Sequence, residues 1–440
     1  MTAYYLSFGC KVNQYETNAL RGMLRQAGIQ PVSEPGEADL ILVNSCTVTA
    51  SSDRKVRHAL RSLRSRCPGA RIVLTGCLPQ AHGDAAQQCP EADLITGTKD
   101  RAALVQQILQ LMQDGTPRCA VTPHTPGEDY ELLPYAENED RTRAFIKIQD
   151  GCNQFCSYCI IPYARGRCRS KPKEALAREA EQMARAGCRE VVLIGINLAF
   201  YGMEWQGDLG EAVELCCAVP GIDRVRLGSL EPEKLSDGLL HRLAACPQFC
   251  PQFHLSLQSG CDRTLRAMNR HYTAAEYAAL AERIRSIFPD ASLTTDVMVG
   301  FPGETEADFA ESMAFVRQMG FAKVHVFPYS PREGTPAARM PGQLSQQEKN
   351  RRAALMGETA AACRAEFLRA QVGKVMPVLF ERSSDPRWHR GYTPNYTPVK
   401  ISAKKGEKSL RKSVFRVIIK ASEPDCCIGA LLPEASAQND

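Results

Sequence analysis

The chain has 440 residues, 44% of them apolar and 23% charged, with a net charge of +5. That length is too great for one ordinary domain and predicts two or three globular ones. No apolar run approaches a membrane span, the first residues lack the basic and apolar regions of a secretory signal, and nineteen cysteines, an odd number, argue against a disulfide framework, so a cytoplasmic chain is expected.

Residues 1–117 alternate short apolar runs (Ala3–Ser7, Asp39–Val43, Arg71–Thr75) with helical stretches near Tyr15–Ala27 and Ser52–Arg66. This alternation predicts an open parallel α/β sheet. Each run is followed by a cysteine: Cys10, Cys46 and Cys77. Ligands in such sheets gather beyond the carboxyl ends of strands, so these three cysteines are expected to converge as a three-thiolate site. Cys67, Cys89 and Cys119 read as structural or incidental, because free cysteine mostly behaves as a small buried hydrophobe. Residues 118–140 are hydrophilic, with Thr122-Pro-His-Thr-Pro-Gly127 and Glu137-Asn-Glu-Asp140, and are expected to cross the surface as a linker.

Six strand-like runs follow at Phe145–Ile148, Glu190–Gly195, Arg224–Ser229, Phe253–Gln258, Leu293–Val299 and Lys323–Pro328. Helical stretches at Lys173–Ala186, Ala274–Ile287 and Glu304–Met319 lie between and among them. Repeated βα units predict an all-parallel curved sheet or partial barrel, with function at its strand C-termini. Directly after the first run stands Gly151-Cys-Asn-Gln-Phe-Cys-Ser-Tyr-Cys159. Cys152, Cys156 and Cys159 in this C-x3-C-x2-C spacing can hold three irons of a cubane cluster and leave the fourth open. A structural zinc site would need a fourth ligand from a second cysteine or histidine pair, and Cys168 lies nine residues on, behind Pro162 and Gly166. Small and polar residues recur at the other strand ends, in Gly195–Gly202, Gly228–Pro232, His254–Gly260, Asp296–Glu304 and Phe327–Thr335.

The last segment, 371–436, has strand-like pieces at Lys374–Glu381, Tyr396–Ile401 and Val414–Lys420. Between residues 371 and 420 twelve Lys/Arg face three acids, a local charge of +9 that leaves about −4 for the remainder. Trp388, His389, Tyr392 and Tyr396 are interleaved with these cations. Short strands with rings and excess positive charge predict a small β-barrel that meets nucleic acid, with bases stacked on rings. The residues past Lys420 are acidic and predict nothing further.

The cysteine loop resembles the radical S-adenosylmethionine (SAM) signature, and the six βα units resemble the partial (βα)6 barrel of those enzymes. With the strand-end cysteines before it and a TRAM-like segment after it, the chain resembles the methylthiotransferase family over nearly its whole length. The resemblance implies three domains: 1–117, 138–368 and 371–436. It implies two [4Fe–4S] clusters, one on Cys152, Cys156 and Cys159 that binds SAM at its open iron and acts in catalysis, and an auxiliary one on Cys10, Cys46 and Cys77. Tyr158 stands where such enzymes place an aromatic beside the last cysteine, and Asn197, Ser229, Ser256 and Gln258 are the candidates for lining the SAM pocket. Gly9-Cys-Lys-Val-Asn-Gln-Tyr-Glu16 and Gly391-Tyr-Thr-Pro-Asn-Tyr-Thr-Pro398 resemble the branch that acts on N6-threonylcarbamoyladenosine next to the anticodon of tRNA. Many members of that branch carry His where this chain has Asn197.

The implied reaction adds sulfur and a methyl group at C2 of that adenosine, and the implied partners are the anticodon stem-loop and an electron donor such as flavodoxin or ferredoxin. The alternatives are a methylthiotransferase for isopentenyladenosine in tRNA or for a ribosomal protein and, in another class, a non-catalytic iron–sulfur RNA-binding protein. No feature sets an oligomeric state.

Overall fold

The apolar runs at the start of the chain build its first sheet. In the computed structural model, which describes residues 1–135, 142–403 and 408–432, six strands pair in parallel in the order β2-β1-β3-β4-β5-β6. They are β1 (Thr2–Ser7), β2 (Gln30–Pro31), β3 (Leu40–Ser45), β4 (Arg71–Gly76), β5 (Leu94–Thr96) and β6 (Arg118–Ala120). β3 is buried along its whole length, as a central parallel strand covered on both faces must be. Ile41 and Val43 meet Val56, Leu60 and Leu63 of helix Ala50–Arg66. Leu40 and Leu42 point the other way, to Leu20 and Leu24 of helix Lys11–Gln26 and to Leu104 and Ile108 of helix Arg101–Asp114.

The stretch expected as a passive linker is partly structural. Residues 118–120 are the sixth strand of this sheet, Lys99 Nζ bonds Glu128 at 2.6 Å, and Glu131 pairs with the buried Arg101. The segment's own charges bind it to neighbouring elements, which a hydrophilic composition does not disclose. Its acidic end, Glu137–Asp140, lies outside the described residues.

The six runs of the middle segment form strands at or near their expected places. β7 (Arg143–Lys147) is followed by the short antiparallel pair β8 (Gln149–Asp150) and β9 (Arg169–Ser170). Then come β10 (Glu190–Ile194), β11 (Arg224–Leu227), β12 (Ser229–Leu230), β13 (Gln252–Leu255), β14 (Ser292–Val299) and β15 (Lys323–Pro328). The expected single strand at 224–229 is two pieces, so the parallel wall consists of β11-β10-β7 and β12-β13-β14-β15. The break is at Gly228, whose N–H bonds the carbonyl of Leu193 at 2.8 Å. Helix Ala274–Ile287 begins with a capping box from Thr273 and Glu276, the pattern that marks a helix start. Helix Gln346–Arg369, not expected from the sequence, leads into the last segment.

Five strands, not three, close the final barrel in the order β16-β17-β18-β20-β19. β16 (Val375–Glu381), β18 (Pro398–Ser402) and β19 (Val414–Ser422) were expected, whereas β17 (Trp388–Tyr392) and β20 (Cys427–Leu431) were not. Thus the acidic tail supplies a closing strand, with Cys427 buried among Val378, Phe380, Val399 and Leu368. Among the described residues no helix is long and apolar enough to cross a membrane.

Candidate active site

The Phe8-Gly9-Cys10 turn brings two distant cysteines together. Gly9 has φ +97°, and a Cβ there would overlap Cys46 Cβ and come within 2.7 Å of its Sγ. Only glycine fits so close an approach at that angle. Cys46 and Cys77 follow β3 and β4 directly, in adjacent parallel strands whose last paired residues are Ser45 and Gly76. Burial pushes the Cys77 thiol up to about 12, with Arg165 opposing it and Cys46 and Cys10 adding to it. Burial also raises Cys46, and Cys10 contributes. The three strand-end thiols are therefore within electrostatic reach of one another.

The second thiol group lies on the loop after β8. Gly151, at φ +73°, packs so tightly that a Cβ would overlap the Arg167 carbonyl, and Cys152 N–H bonds the Gly166 carbonyl at 3.0 Å. Cys152 Sγ accepts from Gln154 N and from Asn197 Nδ2, each at 3.5 Å. Cys156 Sγ accepts from Arg270 Nη1 at 3.2 Å. Burial raises the Cys159 thiol, and Cys156 and Cys152 raise it further. Cys168, set aside for its spacing, also lies near Cys152, and burial pushes it up to about 12.

The other candidates divide between two places. Asn197 is buried beside Cys152, its N–H bonding Gln149 Oε1 at 2.6 Å, and its Oδ1 has no partner. Tyr158 packs edge-on to Phe301 and lies close enough to the Cys156 thiol to oppose the rise that burial imposes on it. The Ser256 carbonyl accepts from Arg270 Nη2 at 3.3 Å. Gln258, at φ +67°, bridges to β14 through the Asp296 carbonyl and the Met298 N–H. Ser229 instead opens into the barrel lumen.

Two arginines that sequence reasoning missed carry the electrostatics. Arg165, fully buried six residues after Cys159, reaches Cys77 Sγ with Nε at 3.2 Å, Asn13 Oδ1 at 2.7 Å and Glu16 Oε1 at 2.6 Å. It ties the loop that carries one thiol group to a cysteine of the other. Burial alone would raise Glu16, but Arg101, Arg165 and Lys147 hold it well below the usual carboxylate range. Arg270 joins Cys156 to the half-buried Glu231. Glu16 and Glu231 lie inside quoted motifs, whereas nothing in the sequence singled out Arg165 or Arg270. A third link is Arg332, which pairs with Asp53 at 2.6 Å and bonds Thr47, the residue after Cys46.

Both thiol groups suit the iron–sulfur clusters of the sequence reading. Each offers three sulfurs, one fewer than a cubane has irons, each has an arginine to offset thiolate charge, and a bound metal deprotonates its thiols whatever their free pKa. The unpartnered Asn197 Oδ1 beside Cys152 suits a cofactor with a hydrogen-bond donor.

Comparison with known proteins supplies the rest. The family described as the radical SAM superfamily matches residues 146–316, and the one described as uncharacterized protein family UPF0004 matches residues 2–97. The chain is 39% identical to the threonylcarbamoyladenosine tRNA methylthiotransferase MtaB of Thermotoga maritima, over 85% of each chain. It is 35% identical to the Bacillus subtilis protein of the same name, over 96% of this chain and 95% of that one. The chain belongs to the radical SAM tRNA methylthiotransferases. It is also 36% identical, over 86% of each chain, to a tRNA-2-methylthio-N(6)-dimethylallyladenosine synthase of Pelotomaculum thermopropionicum. Among solved structures, the radical SAM methyltransferase TsrM of Kitasatospora setae shares its fold, with a TM-score of 0.56 at 14% identity over 77% of each chain. The protein is thus an enzyme that transfers sulfur-containing groups, and its cofactors are SAM and two [4Fe–4S] clusters.

The barrel wall lines an open lumen of about 730 Å³. Strands β7 and β10 to β15 form its wall, Lys11 reaches it from the first segment, and Arg382, Tyr396 and Arg411 border it from the last. Tyr392 and Tyr396 stack at 4.5 Å and face the barrel, with the Arg143 guanidinium 4.8 and 5.0 Å from their rings. These rings, expected as stacking platforms for bases, are occupied by barrel arginines. His254, Asp296 and His325 hold their ligand atoms within 4.8 Å of one another. Burial lowers the His325 pKa; Asp296 opposes this, while Lys323 and Lys11 reinforce it. A divalent cation there would meet two ammonium charges.

Proposed function

We propose that the enzyme adds sulfur and a methyl group at C2 of N6-threonylcarbamoyladenosine next to the anticodon of tRNA. Cys152, Cys156 and Cys159 hold the cluster that binds SAM, and Cys10, Cys46 and Cys77 hold the auxiliary cluster. The observation that carries this reading is Arg165, which runs from the radical SAM loop to Cys77 and so supports two metal centres serving one substrate. The identities to two threonylcarbamoyladenosine methylthiotransferases support the substrate.

When bound, the cofactors supply the one-electron chemistry that removes an aromatic hydrogen and the groups that replace it. The chain's own residues bind and orient. Asn197 and Arg270 fix Cys152 and Cys156 through their sulfurs. Asn197 Oδ1 and the strand-end residues Ser229, Ser256 and Gln258, with Tyr158, meet the polar edges of SAM. Residues 1–117, 138–368 and 371–436 act as the auxiliary-cluster, radical SAM and TRAM-like RNA-binding domains. The anticodon stem-loop, and an electron donor such as flavodoxin or ferredoxin in the cytoplasm, are the partners.

A second reading, action on dimethylallyladenosine, is favoured by the 36% identity to a synthase of that name. Nucleoside mass spectrometry of threonylcarbamoyl- and isopentenyl-modified tRNA, each incubated with reconstituted enzyme, SAM and reductant, separates the two. A 2-methylthio product on the first supports the proposal, and one on the second alone refutes it. In the same assay Cys156→Ala should abolish SAM cleavage, whereas Cys46→Ala should cleave SAM without forming product.

A further inference from the structure

The lumen has an excess of positive charge, and among the described residues neither Lys11 nor Lys323 forms an ion pair. Six Lys or Arg side chains line it (Lys11, Arg143, Arg226, Lys323, Arg382, Arg411) against the carboxylates of Asp296 and Glu381. Both carboxylates are engaged, Glu381 by Arg143 at 2.7 Å and Asp296 by His254 at 3.3 Å. Glu190, just behind the wall, is held by Arg226 at 3.1 Å. Lys11, the residue after Cys10, projects into this space with its ammonium 5.7 Å from the Phe145 ring. Among the described residues no carboxylate forms an ion pair with it. A concave positive site of this size favours an anionic guest.

We propose that Lys11 is a specificity-determining residue that binds the carboxylate of the substrate's N6 substituent inside the lumen. The inference rests on the threonylcarbamoyladenosine reading above and adds the group that recognises it. The threonyl moiety ends in a carboxylate, which an ammonium meets with a charge-assisted hydrogen bond. A hydrocarbon substituent would leave Lys11 desolvated and unpaired, and a site built for a polar group rejects an analogue that lacks it. The position of Lys11, next to one thiol group and open to the barrel, suits a residue that holds the base between them. A backbone phosphate could offer the same ammonium an anion, so the test separates the two sources.

Binding to the reconstituted enzyme is measured for three anticodon stem-loop RNAs: one bearing N6-threonylcarbamoyladenosine, one its carboxyl methyl ester, and one unmodified adenosine. The wild-type enzyme should prefer the free acid to the ester by about 10-fold to 100-fold, the range for a hydrogen bond to a charged group. Lys11→Gln should lower acid binding to the level of the ester and leave the ester unchanged, and Lys11→Arg should keep most of the preference. Equal binding of acid and ester by the wild-type enzyme would overturn the assignment, however the variants fold. A uniform loss on all three RNAs in Lys11→Gln would overturn it in favour of a phosphate contact. Absence of methylthiolated product from the acid-bearing RNA would remove the substrate reading and the Lys11 role with it. Product without the acid preference would remove only Lys11.

Discussion

Arg165 and Arg270 show how single residues organise the two thiol groups. Each is buried, each places a guanidinium nitrogen 3.2 Å from a cysteine sulfur, and each has a carboxylate partner, Glu16 or Glu231. Removing one member of a buried pair leaves the other charge uncompensated. Arg270→Met should therefore lower the unfolding free energy by about 3 kcal/mol and reduce the iron retained, while Arg270→Lys should recover part of both. Thermal unfolding and iron analysis check this, and an unchanged midpoint with full iron would show that Arg270 only fills space. Cys152, Cys156 and Cys159 stand out in the sequence because their spacing is itself the signal. The arginines do not, because an arginine in a chain with 54 Lys and Arg carries no mark of its partner.

At the scale of elements, strands with strong apolar runs stood at or near their expected places, and those held by partners did not show. β6 pairs with β5 through its backbone, and the segment after it is held to the first sheet by charges distant in sequence. Burial disfavours ionisation of Glu128, but hydrogen bonds from His124 and Lys99 outweigh it and bring its pKa to about 2, from an ordinary 4.5. A depressed carboxylate contributes stability above its unfolded pKa and loses it as the pH falls through the folded one. Glu128→Gln should thus be less stable than wild type near neutrality, with the difference shrinking between about pH 4.5 and pH 2. Urea unfolding at pH 7 and at low pH measures this, and a pH-independent difference would assign the effect to packing. The Tyr392–Tyr396 string, with its residues quoted for resemblance, turned out to be a docking element, because Arg143, Arg224 and Arg226 bond or stack on it.

For the whole molecule, the final barrel forms part of the boundary of the lumen as well as a basic surface. Removing it after Leu368 would strip Arg143, Arg224 and Arg226 of partners and open the lumen further, so such a truncation does not isolate RNA binding. Two exposed cations on the outer side of β19, Arg416 and Lys420, give a cleaner test. With Tyr392 and Tyr396 engaged internally, contact at this barrel should depend on charge more than stacking. Replacing Arg416 and Lys420 together by Ser should lower the slope of log affinity for tRNA against log salt by roughly 1.5, the value for two phosphate contacts. An unchanged slope would place the contacts on another face. By itself the sequence determined the parallel α/β plan and the close C-x3-C-x2-C spacing of Cys152, Cys156 and Cys159, since apolar periodicity and short spacing are local properties. Which charges meet, that the tail closes a barrel, and that Lys11 lines an open cavity of the barrel were decided only by the tertiary structure, because electrostatic partners and concavity arise between segments far apart in the chain.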